Sequence, residues 1–144
     1  MKYMSEIWGP HYWFVLHTIA LNYPKFPNNV TKRKYYDLIS NLPLFIPNRE
    51  ISDEFVILLN KYPVIPYLDD NNSFSKWVHF IHNRINEKLN KPIISYNEFL
   101  MNYENLYSVK ENKINEKYKK KQFYYILLFL LLIILIIYMQ TINV

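Results

Sequence analysis

Three observations predict an all-α chain, a four-helix bundle with a short fifth helix, followed by a C-terminal transmembrane helix. The sequence has a single glycine in 144 residues, too few for the tight turns of an all-β fold. Its apolar residues recur every three or four positions between prolines and Asn-rich turns. From Phe123 to Met139 it runs FYYILLFLLLIILIIYM, seventeen residues without a charge, proline or glycine.

Pro10 suits the first position of a helix, and Trp13, Leu16, His17, Ala20 and Leu21 follow at helical spacing, which predicts a first helix over 10–22. Thr31 is the candidate cap of a second helix, with Tyr35, Leu38, Ile39 and Leu42 as its apolar stripe and Pro43 and Pro47 closing it. Ser52 is placed to cap a third, with Asp53 and Glu54 in its first turn and Phe55, Leu58, Leu59 and Tyr62 facing inward. Ser73 opens the strongest pattern, in which Phe74, Trp77, Val78, Ile81, His82, Ile85 and Leu89 fall on one face. Ser95 and Glu98 form a capping box for a short fifth helix carrying Phe99, Leu100 and Tyr103.

The net charge of +5 is concentrated in one segment, because residues 110–121 hold six lysines and two glutamates. The rest of the chain is close to neutral and offers no basic groove, which argues against nucleic-acid binding. The lysines flank the apolar run, which at about 1.5 Å per residue reaches roughly 26 Å, near the short end of a bilayer span. Tyr124, Tyr125 and Tyr138 sit at its ends, where aromatic rings favour the interface. The chain thus divides into a bundle over 1–109, a Lys-rich juxtamembrane stalk over 110–122, a transmembrane helix over 123–139 and a short tail over 140–144. Met1 to Ser5 is followed at once by Trp8, Gly9 and Pro10, not by the apolar run of a signal peptide. The expectation is a single-pass, tail-anchored protein of a virion or ER-like membrane. The positive-inside rule then keeps the N-terminal domain cytosolic and the sequons at Asn29 and Asn71 unglycosylated.

Particular residues add a resemblance that periodicity does not supply. Trp8-Gly9-Pro10, Trp13, Leu16-His17-Thr18, Ala20 and Tyr23-Pro24 resemble the first helix of the Erv/ALR flavin-linked sulfhydryl oxidases. Trp77, His82-Asn83, Asn86, Leu89, Lys91-Pro92, Ser95-Tyr96 and Glu98 resemble that family's H-N-x-x-N-x-x-L-x-K segment and the helix after it. The W-G-P form and the run Asn90 to Tyr96 look closest to members from large DNA viruses.

The resemblance implies a redox C-x-x-C pair after a proline between helices 2 and 3. After Pro47 the chain instead reads Asn48, Arg49, Glu50, Ile51, and it contains no cysteine anywhere. Disulfide exchange requires a thiolate, so neither Asn48 nor Ile51 can perform it, and no catalytic residue is assigned. The resemblance also implies a flavin pocket lined by Trp13, His17, Tyr23, His82, Asn83, Asn86 and Lys91. Aromatic planes stack on flavin or adenine, His and Asn hydrogen-bond ring edges and ribose, and Lys neutralises phosphate. On residue types alone, Trp13 and Trp77 read equally as core, and His17 and His82 as satisfied buried histidines, so FAD and no cofactor both stay open. His79 and His82 stand three apart without an apparent third ligand, so no metal site is assigned. Phe45, Ile46 and Ile51 are expected to form an apolar contact surface where the redox pair is missing.

The functional expectation is a non-catalytic structural or partner-binding protein, a pseudoenzyme held in the membrane by Phe123 to Met139. Its partner is another protein or a second copy of the chain, through the bundle. The alternative is an FAD-binding flavoprotein, or a regulatory subunit of a cysteine-bearing sulfhydryl oxidase.

Overall fold

The computed structural model describes residues 3–142, and every described residue outside turns and loops is helical. The side chains at 109–112 and 140–142 lie outside that description, as do Met1, Lys2, Asn143 and Val144. The side chain of Lys110 in the basic segment and those of the predicted tail therefore lie outside the description. The helices are α1 (Ser5–Leu21), α2 (Asn29–Asn41), α3 (Arg49–Lys61), α4 (Asn71–Lys88) and α5 (Tyr96–Ile142). Short 3₁₀ turns over Leu42–Phe45 and Ile65–Tyr67 carry the chain into α3 and α4.

Residues up to Tyr96 form one compact unit. Its core joins Leu16, Ala20 and Tyr23 from the α1 end to Ile39, Phe55, Leu58 and the inner face of α4. That face holds Phe74, Trp77, Val78, Ile81 and Ile85, all predicted to point inward, together with Ser75 and His79, which the apolar pattern does not mark. Phe74 is the most deeply enclosed ring, and the Trp77 indole N–H donates to the carbonyl of Tyr62.

Three helices start one turn before their predicted caps, for one shared reason. Asn28, Asn48 and Asp70 accept from the backbone N–H groups of Thr31, Ile51 and Ser73, so each cap is an Asx side chain upstream of the predicted one, by three residues in α2 and α4 and by four in α3. Asn and Asp reach the third N–H of a helix as well as Ser does, and a polar residue one turn inside the helix is easily mistaken for the cap. Ser52, released from capping α3, donates its hydroxyl to the carbonyl of Pro43 and fastens α3 to the preceding turn.

The first helix also starts early, at Ser5, which leaves Pro10 inside it. Lacking an N–H, Pro10 forfeits one helical hydrogen bond. Trp8, packed on the core and edge-on to Tyr12 with ring centroids 5.1 Å apart, supplies compensating burial in that added turn.

At the other end of α4, Asn90 takes a left-handed backbone conformation with φ of 53°. The Asn90 N–H donates to the carbonyl of Glu87, and the Lys91 N–H to that of Asn86 at 2.8 Å. This pair of bonds is a Schellman closure, with Asn in the place where Gly is commonest.

The second unit is α5. Its 47 residues run without a break through the positions predicted as a short fifth helix, a stalk and a span. At 1.5 Å per residue the helix is about 70 Å long. Every apolar side chain from Phe123 to Met139 is exposed, and even the least exposed, Ile133, is 38% accessible. A soluble protein buries such a surface, so this stretch is long and apolar enough to cross a membrane.

Candidate functional site

The site forms where α1 packs on α4, the most extensive helix pairing in the bundle. Residues 13 and 17 of α1 lie four apart and therefore share a face, which meets His82 on α4. The Trp13 indole stacks on the His82 imidazole with centroids 4.1 Å apart and an interplanar angle of 14°. His17 Nε2 and His82 Nδ1 are 2.9 Å apart, one ring donating and the other accepting. Phe55 of α3 continues the aromatic wall, with its centroid 6.3 Å from that of Trp13.

This hydrogen bond needs at least one neutral ring to accept it, and the surroundings keep both neutral. Burial, reinforced by the neighbouring His82 and His79, pushes the His17 pKa down to about 3. Burial, then His79 and the cationic Lys91, lowers that of His82 to about 4. His79 is shifted the same way by burial, against an opposing hydrogen bond with the backbone of Ile94.

The remaining residues of the predicted pocket are dispersed. Asn83 donates its amide to the carbonyl of Ile94 at 2.9 Å and lies 3.5 Å from His79 Nε2, tying the chain after the α4 turn back onto the helix. The carbonyl of Asn86 closes α4 by accepting from Lys91, and this closure brings the Lys91 ammonium close enough to influence His82. Tyr23 lies elsewhere: past the end of α1, it is 2% exposed and donates its hydroxyl to the carbonyl of Leu68.

His79 belongs with this group more closely than its sequence spacing indicates. Its ring meets Tyr96 edge-on at 5.5 Å, and the Tyr96 hydroxyl donates to Ser75 Oγ on the same helix. It therefore faces Tyr96, whereas His82 faces His17. The only sequence signal for this latch was the spacing of Ser75, His79 and Asn83, four apart on one side of a helix.

The residues present match the chemistry of a flavin nucleotide in part. Trp13 offers an aromatic plane, two neutral imidazoles offer hydrogen-bonding edges, and Lys91 offers one cation for a phosphate. The Asn83 amide N–H and the Tyr23 hydroxyl already donate to the protein's own carbonyls.

At the positions where a redox pair is implied, the structure shows a helix cap. Asn48 Oδ1 accepts from the Ile51 N–H at 3.0 Å, an interaction worth about 1 kcal/mol in a typical helix. Ile51 is 9% exposed and belongs to the core, so it does not contribute to an outward contact surface as its position after Pro47 suggested. Exposed apolar area there falls to Leu44 and Phe45, 79% and 65% accessible, on the turn held to α1 by the Tyr12 hydroxyl donating to the Phe45 carbonyl.

Comparison with known proteins places this arrangement. The FAD-linked sulfhydryl oxidase of African swine fever virus is 32% identical over 100 residues, covering 69% of this chain and 79% of the viral protein. The probable FAD-linked sulfhydryl oxidase of Acanthamoeba polyphaga mimivirus is 31% identical over 94 residues, covering 65% of this chain and 66% of that protein. The mitochondrial FAD-linked sulfhydryl oxidase of Schizosaccharomyces pombe is 30% identical over 87 residues, and the chain spans only 48% of its length. Among solved structures, the FAD-binding domain of Erv1 from Saccharomyces cerevisiae superposes with a TM-score of 0.66 at 21% identity, covering 72% of this chain and 97% of that one. Residues 10–105, two helices of which build the Trp13–His17–His82 cluster, match the Erv1/Alr family along their whole run, and the chain belongs to that family.

Proposed function

We propose that this chain is a membrane-anchored member of the Erv1/Alr family that has given up thiol chemistry and acts as a structural or partner-binding component of a viral membrane. One observation carries the reading: the chain has no cysteine, and Asn48 and Ile51 are joined in a helix cap where a redox pair is implied. An amide and an alkyl side chain can neither attack a disulfide nor pass electrons to a flavin. Leu44 and Phe45 at this turn, and Ile7, Phe14 and Val15 on α1, are exposed apolar positions for a protein partner or a second copy. The full chain in detergent, supplied with FAD and dithiothreitol, is expected to consume oxygen no faster than free FAD with dithiothreitol. A protein-dependent rate above that control overturns the reading.

The bundle faces the cytosol in this proposal, because the lysines crowd the N-terminal side of the apolar run. Protease added to sealed membranes should digest the N-terminal domain, residues 1–109. Their full protection, or glycan attachment at Asn29, reverses the orientation.

A second reading has its own support in the Trp13–His82 stack beside the Lys91 charge: the bundle still holds FAD and serves as a flavoprotein or as a regulatory subunit of a cysteine-bearing oxidase. FAD co-purifying with the full chain, read near 450 nm (roughly where flavins absorb), and reduced in His82→Ala but not in Lys61→Ala, favours it. Well-folded protein free of FAD leaves the structural role.

A further inference from the structure

Lys113, Lys117, Lys120 and Lys121 recur at i, i+4, i+7 and i+8 and so form one stripe, with Lys119 off that stripe. Among the described residues none of these lysines is paired with a carboxylate. Glu116 is the only acidic residue beyond Glu111. Because α5 is continuous into the apolar run, the height of each lysine above that run follows from the helical rise. Lys117, Lys119, Lys120 and Lys121 lie within about 9 Å of Phe123 along the axis, roughly one Debye length at physiological salt. Lys113 lies about 15 Å away, beyond effective reach. Lys121 Nζ sits 5.7 Å over the Tyr125 ring, so the ammonium stands at the boundary between charged and apolar helix. Four unpaired cations at headgroup height, next to Tyr124 and Tyr125, match the negative surface of an anionic leaflet.

We propose that Lys117, Lys119, Lys120 and Lys121 form a collar that binds the phosphate-bearing headgroups of anionic lipids and enriches them around this chain. The inference rests on the membrane-anchored reading of Phe123 to Met139. Lipid is the occupant because the collar is continuous with an apolar helix that carries it to the headgroup plane.

The test reconstitutes the full chain in phosphatidylcholine vesicles holding spin-labelled phosphatidylserine or spin-labelled phosphatidylcholine, and measures the motionally restricted fraction of each label. At low salt, phosphatidylserine should associate at least about threefold more strongly than phosphatidylcholine, given roughly fivefold per well-placed lysine as an upper guide. The preference should fall to about one in 1 M NaCl, and likewise in the combined variant Lys117→Gln, Lys119→Gln, Lys120→Gln, Lys121→Gln, while Lys34→Gln on the bundle leaves it unchanged. These positions are solvent-exposed on a helix that Gln tolerates, so folding is preserved. Equal restricted fractions for the two labels in the unaltered chain overturn the collar and leave the anchor standing. The absence of any restricted lipid overturns the anchor and the collar together.

Discussion

Acidification from pH 7 to pH 5 should destabilise the bundle by on the order of 4 kcal/mol, about 2 from each of His17 and His82. Both rings are neutral in the folded state, with pKa values lowered to about 3 and about 4, mainly by burial. In the unfolded chain each returns to about 6.5, so between pH 6.5 and the folded values the unfolded state binds more protons. Their contribution is therefore fully present above pH 6.5 and is lost progressively as pH falls toward the folded values. His79, lowered by the same cause, adds in the same direction. The Asp70 carboxylate, held below the usual range by the Ser73 backbone N–H, titrates in more acid solution and leaves this window to the histidines. Melting curves of the full chain in detergent at pH 7, 6 and 5 should show a fall of about 20 °C, at several degrees per kcal/mol for a unit of this size. The double variant His17→Gln, His82→Gln should flatten most of that slope, whatever its own stability. Equal melting at pH 7 and pH 5, or an unchanged slope in the double variant, would show that the buried His17 and half-buried His82 rings are not held neutral in the folded bundle.

Phe74→Ala should remove about 3–5 kcal/mol, a large share of the 5–15 kcal/mol typical of a domain. Phe74 is 0% exposed and touches three other rings, with centroids 5.1 Å from Tyr23, 5.7 Å from Tyr35 and 6.4 Å from Trp77. Truncation loses the ring's transfer free energy and leaves a cavity between α4 and the end of α1, which rigid aromatic neighbours fill poorly. Phe26, 87% exposed, provides the contrast: Phe26→Ala should stay within about 0.5 kcal/mol. Denaturant midpoints of the two variants separate the cases. A loss below about 1 kcal/mol for Phe74→Ala would mean that the α1–α4 core is not packed as found.

Much of this protein was legible in its sequence. The helical period marked the inner face of α4, since a buried face and a wet face impose opposite demands on residues three and four apart. The seventeen-residue apolar run stood out in the sequence, because a helix apolar on every side needs either a large core or a bilayer around it, and 144 residues build no large core. The missing cysteines decided what chemistry is closed to the chain without any coordinates. Helix starts were legible less well, because the Asx caps at Asn28, Asn48 and Asp70 sit in turns where Asn and Asp are common for other reasons.

Only the tertiary structure decided the rest. Whether His17 and His82 meet depends on the rotation of α1 against α4, which side-chain packing sets and no local pattern encodes. Their neutrality follows from burial, a property of the assembled bundle. Tyr23 could as well have faced the same cluster, but the bend after Leu21 sends it to Leu68 at the other end of the core. Ile51 became core because the cap at Asn48 starts α3 early enough to place it on the helix face of Phe55 and Leu58, while Arg49 and Glu50 stay exposed. Continuity of α5 was undecided in sequence: the lysine-rich segment has ordinary helix propensity and no breaker, and the fold carries it as helix into the apolar run.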